Sequence, residues 1–109
     1  MNFEEYQEQV GKTSIFPDDG RAYIYATLGL SGETGEVAEK IKKIIVNKNG
    51  VISEESKKEI KKELGDVLWY LSQLATELNL SLEEVAEENV RKIYDRMERG
   101  VLKGDGDNR

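Results

Sequence analysis

The sequence predicts an all-α protein, and three observations support this. Apolar residues recur at helical spacing in four separate segments. Residues that favour helix N-caps precede three of these segments. The only proline falls in a predicted loop. The length of 109 residues fits one domain, but 38% hydrophobic residues is lean for a monomer with a large core. We therefore expect a second copy of the chain to bury part of the apolar surface.

The composition argues against several classes of function. The 16 basic and 22 acidic residues give a net charge of −6, which disfavours a general affinity for nucleic acid or for an anionic membrane. Without cysteine the chain cannot form disulfides or use a thiol nucleophile, which fits a reducing cytoplasm. No apolar run approaches the roughly 20 residues of a membrane helix, and the start of the chain does not resemble a signal peptide. We therefore expect a cytoplasmic protein.

A short N-terminal helix is the first predicted element. Asn2 is placed to cap this helix, and Glu5 follows three residues later, as in a capping box. The helix should end near Lys12. The segment from Thr13 to Gly20 contains the proline and an Asp-Asp-Gly turn, so it is predicted to be a loop.

The second predicted helix runs from about Arg21 to about Asn47 and carries the first acidic pair. Its apolar arc consists of Leu30, Val37, Ala38, Ile41, Ile44 and Ile45. Glu33 and Glu36 are three residues apart and border this arc on one side of the helix. Glycine costs roughly 1 kcal/mol relative to alanine inside a helix. Three glycines interrupt this one: Gly29, Gly32 and Gly35. We expect them to mark a bend, or a close approach by another backbone or a ligand.

The third predicted helix begins after Ser53, a suitable cap, and carries the second acidic pair. Glu63 and Asp66 are three residues apart on one shoulder of its apolar arc, in the same relation that the first pair bears to its own arc. Trp69 is predicted to lie on the side away from the carboxylates. A large apolar ring at that place indicates a second buried surface, which in a small chain would be a subunit interface.

The fourth predicted helix has the clearest start signal, a capping box formed by Ser81 and Glu84. It should run to Arg99 and stop at Gly100. One amide and two cations interrupt its inner apolar face: Asn89, Lys92 and Arg96. Because half-buried cations need a partner of opposite charge, this face is expected to meet an anion.

Two acidic pairs on neighbouring helices would gather four carboxylates in one place. Carboxylates at close range repel one another, so a divalent cation is the simplest remedy. A chain without histidine or cysteine offers only hard oxygen ligands, which favour Mg²⁺, with Mn²⁺ as a substitute. The cations of the fourth helix would neutralise a polyphosphate bound to that metal, and a carboxylate would deprotonate the attacking water. This arrangement predicts hydrolysis of a nucleoside triphosphate or a similar pyrophosphate bond.

Each of these features also has a simpler interpretation. An acidic pair can be a solvated helix face, and glycines can serve helix packing. Lys92 and Arg96 can cover the core with their stems and pair with surface acids, while Asn89 can cap a backbone group. A second class of function is therefore open, a helical binding or assembly module without catalysis. An oxidative di-iron bundle is disfavoured, because its Glu-x-x-His pairs need histidines that this chain lacks.

Several stretches of the chain carry a family resemblance. Residues 28–39, LGLSGETGEVAE, followed by residues 63–71, ELGDVLWYL, closely resemble the ExxE and ExxD motifs of the MazG family of all-α nucleoside triphosphate pyrophosphohydrolases. Residues 89–93 and 96–100 resemble the segment that follows in that family. The resemblance begins at about Tyr23 and extends to the end of the chain.

The resemblance implies a fold, a reaction and a set of site residues. The fold is a four-helix bundle-like arrangement with a short N-terminal helix, and a homodimer or homotetramer shares its core. The reaction is Mg²⁺-dependent hydrolysis of a (d)NTP to the (d)NMP and pyrophosphate, by attack of water at the α-phosphate. The implied catalytic and metal-binding residues are Glu33, Glu36, Glu63 and Asp66. The residues implied at the triphosphate or the metal shell are Asn89, Lys92 and Arg96.

The last nine residues are treated separately from the helical domain, which is expected to span residues 1–100. Composition alone predicts that this tail (Val101–Arg109) is loose. Its ending, residues 104–109, resembles the Gly-x-Gly-Asp-x-Arg ending of a short MazG-like subgroup, which implies that the tail folds over the nucleotide with Asp107 or Arg109 in contact. Several residues could contact a base but also suit a core or interface position: Tyr6, Gln7, Phe16, Tyr23 and Tyr25.

Overall fold

The computed structural model describes residues 1–17 and 19–109. These residues form four helices and no strand, which confirms the all-α prediction. The helices are α1 (Phe3–Thr13), α2 (Ala22–Asn47), α3 (Glu54–Glu77) and α4 (Leu82–Glu98). The predicted Asp-Asp-Gly turn begins at Asp18, which lies outside the described residues. Within the described ranges, no helix has the length and apolarity needed to cross a membrane.

The helices begin at the positions that were predicted from the capping residues. A side-chain oxygen accepts a hydrogen bond from a backbone N–H at the start of three helices, at 2.8–3.2 Å: Asn2 for α1, Ser53 for α3 and Ser81 for α4. These bonds satisfy backbone donors that have no partner within the helix. Before α2 the carboxylate of Asp19 makes a similar contact, since it accepts a hydrogen bond from the Arg21 backbone N–H at 3.1 Å.

The helices pack unequally. α2 and α3, joined by a short loop, form an antiparallel pair with the most extensive contact in the chain. α1 lies against α3 and α4, whereas α4 touches α3 only slightly. In the described part of the chain, α2 makes no close backbone contact with α1 or α4. The two helices that carry the acidic pairs are therefore neighbours, and α4 lies apart from α2.

Gln7 on α1 holds the turn between α3 and α4 in place. Its side-chain amide donates to the hydroxyl of Thr76 at 3.0 Å and to the carbonyl of Leu80 at 2.9 Å, and its oxygen accepts from the Leu82 N–H at 2.9 Å. All three contacts belong to the α3–α4 junction. Gln7 was a candidate for contacting a base, but in this structure its amide group makes hydrogen bonds that hold the α3–α4 turn.

The apolar core of one chain is thin. Among the described residues only five apolar side chains are buried: Val10, Ala26, Ile44, Ala75 and Leu82. Ile45, which was predicted to lie on the apolar arc of the second helix, is exposed instead (64%), and the apolar side chains of Leu64 (53%) and Met97 (52%) are exposed as well. The radius of gyration is 16.9 Å, whereas a compact chain of this length would have roughly 13 Å. Apolar surface on this scale is typical of a face that another chain covers.

Candidate metal and phosphate site

Three carboxylates from α2 and α3 converge at the interface between these helices. Oxygen atoms of Glu33 on α2 and of Glu63 and Asp66 on α3 all lie within 4.8 Å of one another. Glu63 and Asp66 share a face of α3 because they are one turn apart. The packing of α2 against α3 then brings Glu33 beside them. We call these three residues the acid cluster.

The electrostatics of the acid cluster are unfavourable without a counter-ion. Burial, and then the negative charges of Asp66, Glu63 and Glu36, raise the pKa of the Glu33 carboxyl above its ordinary value. Glu36 is exposed and lies outside the closest group of oxygens, but its charge still reaches Glu33. The raised pKa means that these groups resist being charged together.

The acid cluster fits a hard divalent cation. Oxygen ligands around one octahedral Mg²⁺ lie roughly 3 to 4 Å apart, given its metal–oxygen distances of about 2.1 Å. A spread of up to 4.8 Å among the three carboxylates can therefore close onto an ion with small side-chain rotations. All the donors are oxygen, and the chain has no histidine or cysteine to attract a softer metal.

An aromatic wall adjoins the acid cluster. Glu33, Asp66, Trp69 and Tyr70 line a pocket of about 310 Å³. The prediction that Trp69 lies away from the carboxylates is therefore wrong. Trp69 follows Asp66 by three residues, a spacing that places both side chains on one side of α3. The same spacing, read forward from Asp66, could have identified Trp69 and Tyr70 as residues of the site.

The segment after α1 completes this wall. Phe16 stacks on Tyr70, with ring centroids 6.2 Å apart and planes at 19°, and meets the edge of Trp69 at 5.6 Å. Trp69 and Tyr70 are themselves edge to face at 5.0 Å, and the indole N–H of Trp69 donates to the Thr13 hydroxyl at 2.9 Å. Contacts within its own chain thus leave Trp69 half-buried. The contacts fix its ring beside the carboxylates.

The two cations of α4 are already paired with an anion of the tail. The ammonium group of Lys92 and the guanidinium group of Arg96 each lie 3.0 Å from the same carboxylate oxygen of Asp107. Arg96 also donates to the backbone carbonyl of Asp107. The prediction that these cations would meet an anion is satisfied here by the tail. We call Lys92 and Arg96 the cation pair.

The cation pair and the acid cluster lie in different places. Asn89 and Lys92 line a pocket of about 280 Å³ that shares no residue with the pocket of Glu33 and Asp66. In the described residues α4 does not contact α2. A single chain therefore assembles the acid cluster but does not bring Asn89, Lys92 and Arg96 to it.

Arg109 serves the tail itself. Its guanidinium group donates to the carbonyl oxygens of Val101 and Leu102, both at 3.0 Å, and to that of Gly106. The resemblance implied that Arg109 or Asp107 contacts the nucleotide. In this structure the side-chain hydrogen bonds of Arg109 are made within the tail, and its backbone carbonyl accepts a hydrogen bond from the Arg99 guanidinium group at 2.6 Å. The tail that composition predicted to be loose thus has specific internal contacts.

Comparisons with known proteins show the family of the chain. A family model for the MazG nucleotide pyrophosphohydrolase domain matches residues 23–101, which include the acid cluster and the cation pair. Over 114 aligned positions that cover 100% of both chains, the sequence is 43% identical to a protein of Mycobacterium phage L5 named Gene 37 protein. No solved structure matches the chain. On the strength of the family match, the chain belongs to the MazG nucleotide pyrophosphohydrolase family.

Proposed function

We propose that the protein hydrolyses nucleoside triphosphates to nucleoside monophosphates and pyrophosphate with the help of Mg²⁺ or Mn²⁺. One observation carries this proposal above the others. The acid cluster gathers three carboxylates within 4.8 Å beside an aromatic pocket, in a chain of the MazG family. Hard oxygen ligands next to a flat apolar wall suit a metal-bound phosphate chain with a base attached.

The acid cluster would hold the cation, and Glu36, one turn along α2 from Glu33, is the fourth proposed ligand. A divalent cation bound there neutralises phosphate charge and lowers the pKa of water. A carboxylate that is not fully engaged would accept the proton of the water that attacks the α-phosphorus. The rings of Trp69 and Tyr70 offer a stacking surface for the base.

Asn89, Lys92 and Arg96 are the proposed contacts to the phosphate groups. Guanidinium and ammonium groups bind phosphate oxygens through charge-assisted hydrogen bonds. The cation pair lies apart from the acid cluster in one chain, so the complete site needs more than one copy of the chain. Arg109 would act on the substrate only through the tail that it holds together.

A homodimer or homotetramer is the proposed working form. The thin core, the exposed apolar side chains and the large radius of gyration all support an assembly that covers the open faces. Size-exclusion chromatography with light scattering tests this directly. A monomer that turned over triphosphates at full rate would contradict the proposed assembly.

Product analysis tests the proposed reaction. The protein is incubated with a panel of (d)NTPs and Mg²⁺ in ¹⁸O-labelled water, and the products are analysed by mass spectrometry. We expect nucleoside monophosphate that carries the label, together with unlabelled pyrophosphate. Release of orthophosphate in place of pyrophosphate would show that a different bond is cleaved.

A thermal shift separates the enzyme from a helical binding or assembly module without a metal site. We expect Mg²⁺ to raise the Tm, because a ligand that binds only the folded state stabilises it. Glu33→Gln should abolish the shift. Glu39→Gln is the matched control on the same helix, since Glu39 pairs with Lys42 at 3.5 Å and not with the acid cluster. An unchanged Tm in the wild type would favour the non-catalytic module.

A further inference from the structure

We infer that the tail (Val101–Arg109) is an autoinhibitory latch: the Asp107 carboxylate occupies Lys92 and Arg96 in the free protein and must leave before a polyphosphate can bind them. The inference rests on the proposed function for the identity of the displacing ligand, the phosphate groups of a nucleotide. It adds an internal competitor for the same cations. Three features of the structure support it.

The first feature is the geometry at Asp107. One carboxylate oxygen lies 3.0 Å from both Lys92 and Arg96, which is how a single phosphate oxygen would bridge the cation pair. Lys92 and then Arg96 also lower the pKa of the Asp107 carboxyl below its ordinary value, so the latch is charged at neutral pH. Asp107 thus holds the cations in the way that a bound anion would.

The second feature is the structure of the tail itself, which presents Asp107 to the cations. Arg109 draws three tail carbonyls around its guanidinium group. A Cβ atom at Gly104 would lie 2.7 Å from the Cδ of Arg109, so the glycine leaves room for this side chain in its present position. Gly106 has a φ of +81°, a left-handed conformation that glycine adopts without cost. The tail sequence is therefore suited to one particular loop.

The third feature is that the Asp107 side chain is itself little buried. The Asp107 side chain is 78% exposed, whereas the Arg96 side chain is 8% exposed. No apolar residue lies between Lys103 and Arg109, so hydrogen bonds and charge hold this part of the tail. The cation pair carries two positive charges and Asp107 supplies one negative charge. A triphosphate carries more negative charge and can replace a single carboxylate.

A positioning role for Asp107 is the competing explanation. In that case Asp107 would stay in place during turnover and orient Lys92 and Arg96 toward the phosphates. The two roles predict opposite results when the carboxylate is neutralised. A latch that loses its charge lets anions bind more tightly, whereas a positioning residue that loses its charge weakens the site.

The test measures anion binding to the whole chain without any turnover. Inorganic pyrophosphate is titrated calorimetrically into the wild type, Asp107→Asn and the matched control Asp105→Asn. Asp105 carries the same charge in the same tail, but it makes no hydrogen bond or ion pair within the described residues. Amide hydrogen exchange of residues 101–109 is followed with and without pyrophosphate.

We expect Asp107→Asn to bind pyrophosphate several-fold more tightly than the wild type, and Asp105→Asn to bind as the wild type does. Pyrophosphate should also increase exchange in the wild-type tail. Arg109→Ala, which loses the carbonyl contacts but keeps Asp107, should resemble Asp107→Asn. Weaker or unchanged binding by Asp107→Asn, a tail that stays protected with pyrophosphate bound, or no pyrophosphate binding at all would overturn the latch.

These readouts are independent of hydrolysis. If pyrophosphate displaces the tail but no triphosphate is hydrolysed, the latch stands and the proposed reaction falls. If triphosphates are hydrolysed but the tail does not respond, the reaction stands and the latch falls. In an active enzyme, Asp107→Asn should lower the KM for the triphosphate without lowering kcat, whereas loss of a positioning residue would lower kcat.

Discussion

The ring of Tyr70 on α3 lies directly against the backbone of Gly29 on α2, so a Cβ atom at position 29 would overlap the ring. The contact stands one turn from the acid cluster on both helices, since Gly29 precedes Glu33 by four residues and Tyr70 follows Asp66 by four. It therefore sets the separation of α2 and α3 where the carboxylates meet. A close approach explains this glycine, but an aromatic side chain makes it, and not the backbone or ligand that was expected. At Gly32 and Gly35 a Cβ atom would meet no side chain or other segment of the described residues within 4 Å.

Gly29→Ala should destabilise the fold, because the added methyl group would force the Tyr70 ring and the two helices apart. Overpacking of this kind costs about 1–3 kcal/mol in the free energy of unfolding, measured by urea denaturation. Gly11→Ala on α1 is the control. Its methyl group would enter open space, so higher helix propensity should stabilise the protein by up to about 1 kcal/mol. Equal effects of the two substitutions would contradict the packing described here.

Without metal, the stability of the protein should depend on pH through Glu33. Because the folded state raises the pKa of this carboxyl, the native protein binds more protons than the unfolded chain between the ordinary and the raised value. Stability should therefore fall as pH rises through that window. Urea denaturation in EDTA, compared between the wild type and Glu33→Gln, measures the difference. The Glu33→Gln profile should lack this component, and parallel profiles would show that Glu33 does not sense the acid cluster.

Removing a proposed metal ligand should lower turnover sharply and leave the helices intact. Glu36→Gln and Asp66→Asn each remove one negative charge from the proposed metal site. Loss of one such electrostatic contact to the transition state lowers kcat by roughly 10²–10³-fold. The circular dichroism signal should persist, since the carboxylates repel one another in the metal-free protein. Glu39→Gln should retain activity, and EDTA should inactivate the wild type. Full activity of Glu36→Gln would remove this exposed residue from the site.

Loss of the Trp69 ring should weaken binding of the base and leave binding of the phosphate groups unchanged. Stacking of a base on an aromatic side chain is worth about 1–3 kcal/mol, so Trp69→Ala should raise the KM for nucleoside triphosphates correspondingly. Inhibition by inorganic tripolyphosphate, which has no base, provides the comparison and should change little. Trp69→Phe keeps a ring and should be milder. An equal loss for both ligands would indicate that Trp69 supports the fold and not the base.

Local patterns in the sequence were sufficient to predict the helices. Asn2, Ser53 and Ser81 cap the helices that they were expected to cap, because capping involves backbone groups only a few residues away. The spacing of Glu63 and Asp66 likewise placed both on one face of α3. Their meeting with Glu33 depends on how α2 packs on α3, and the structure brings these oxygens within 4.8 Å.

Other features were decided only by the tertiary structure. The contacts of Trp69 with Thr13 and Phe16 could not be predicted from helical spacing, because these partners come from a distant segment of the chain. Composition predicted a loose tail, yet Asp107 finds the cation pair after the chain reverses at the end of α4. Periodicity and capping are properties of neighbouring residues and can be read from the sequence. Which side chains meet across the fold depends on helix packing and chain reversal, and these involve residues that the local pattern does not connect.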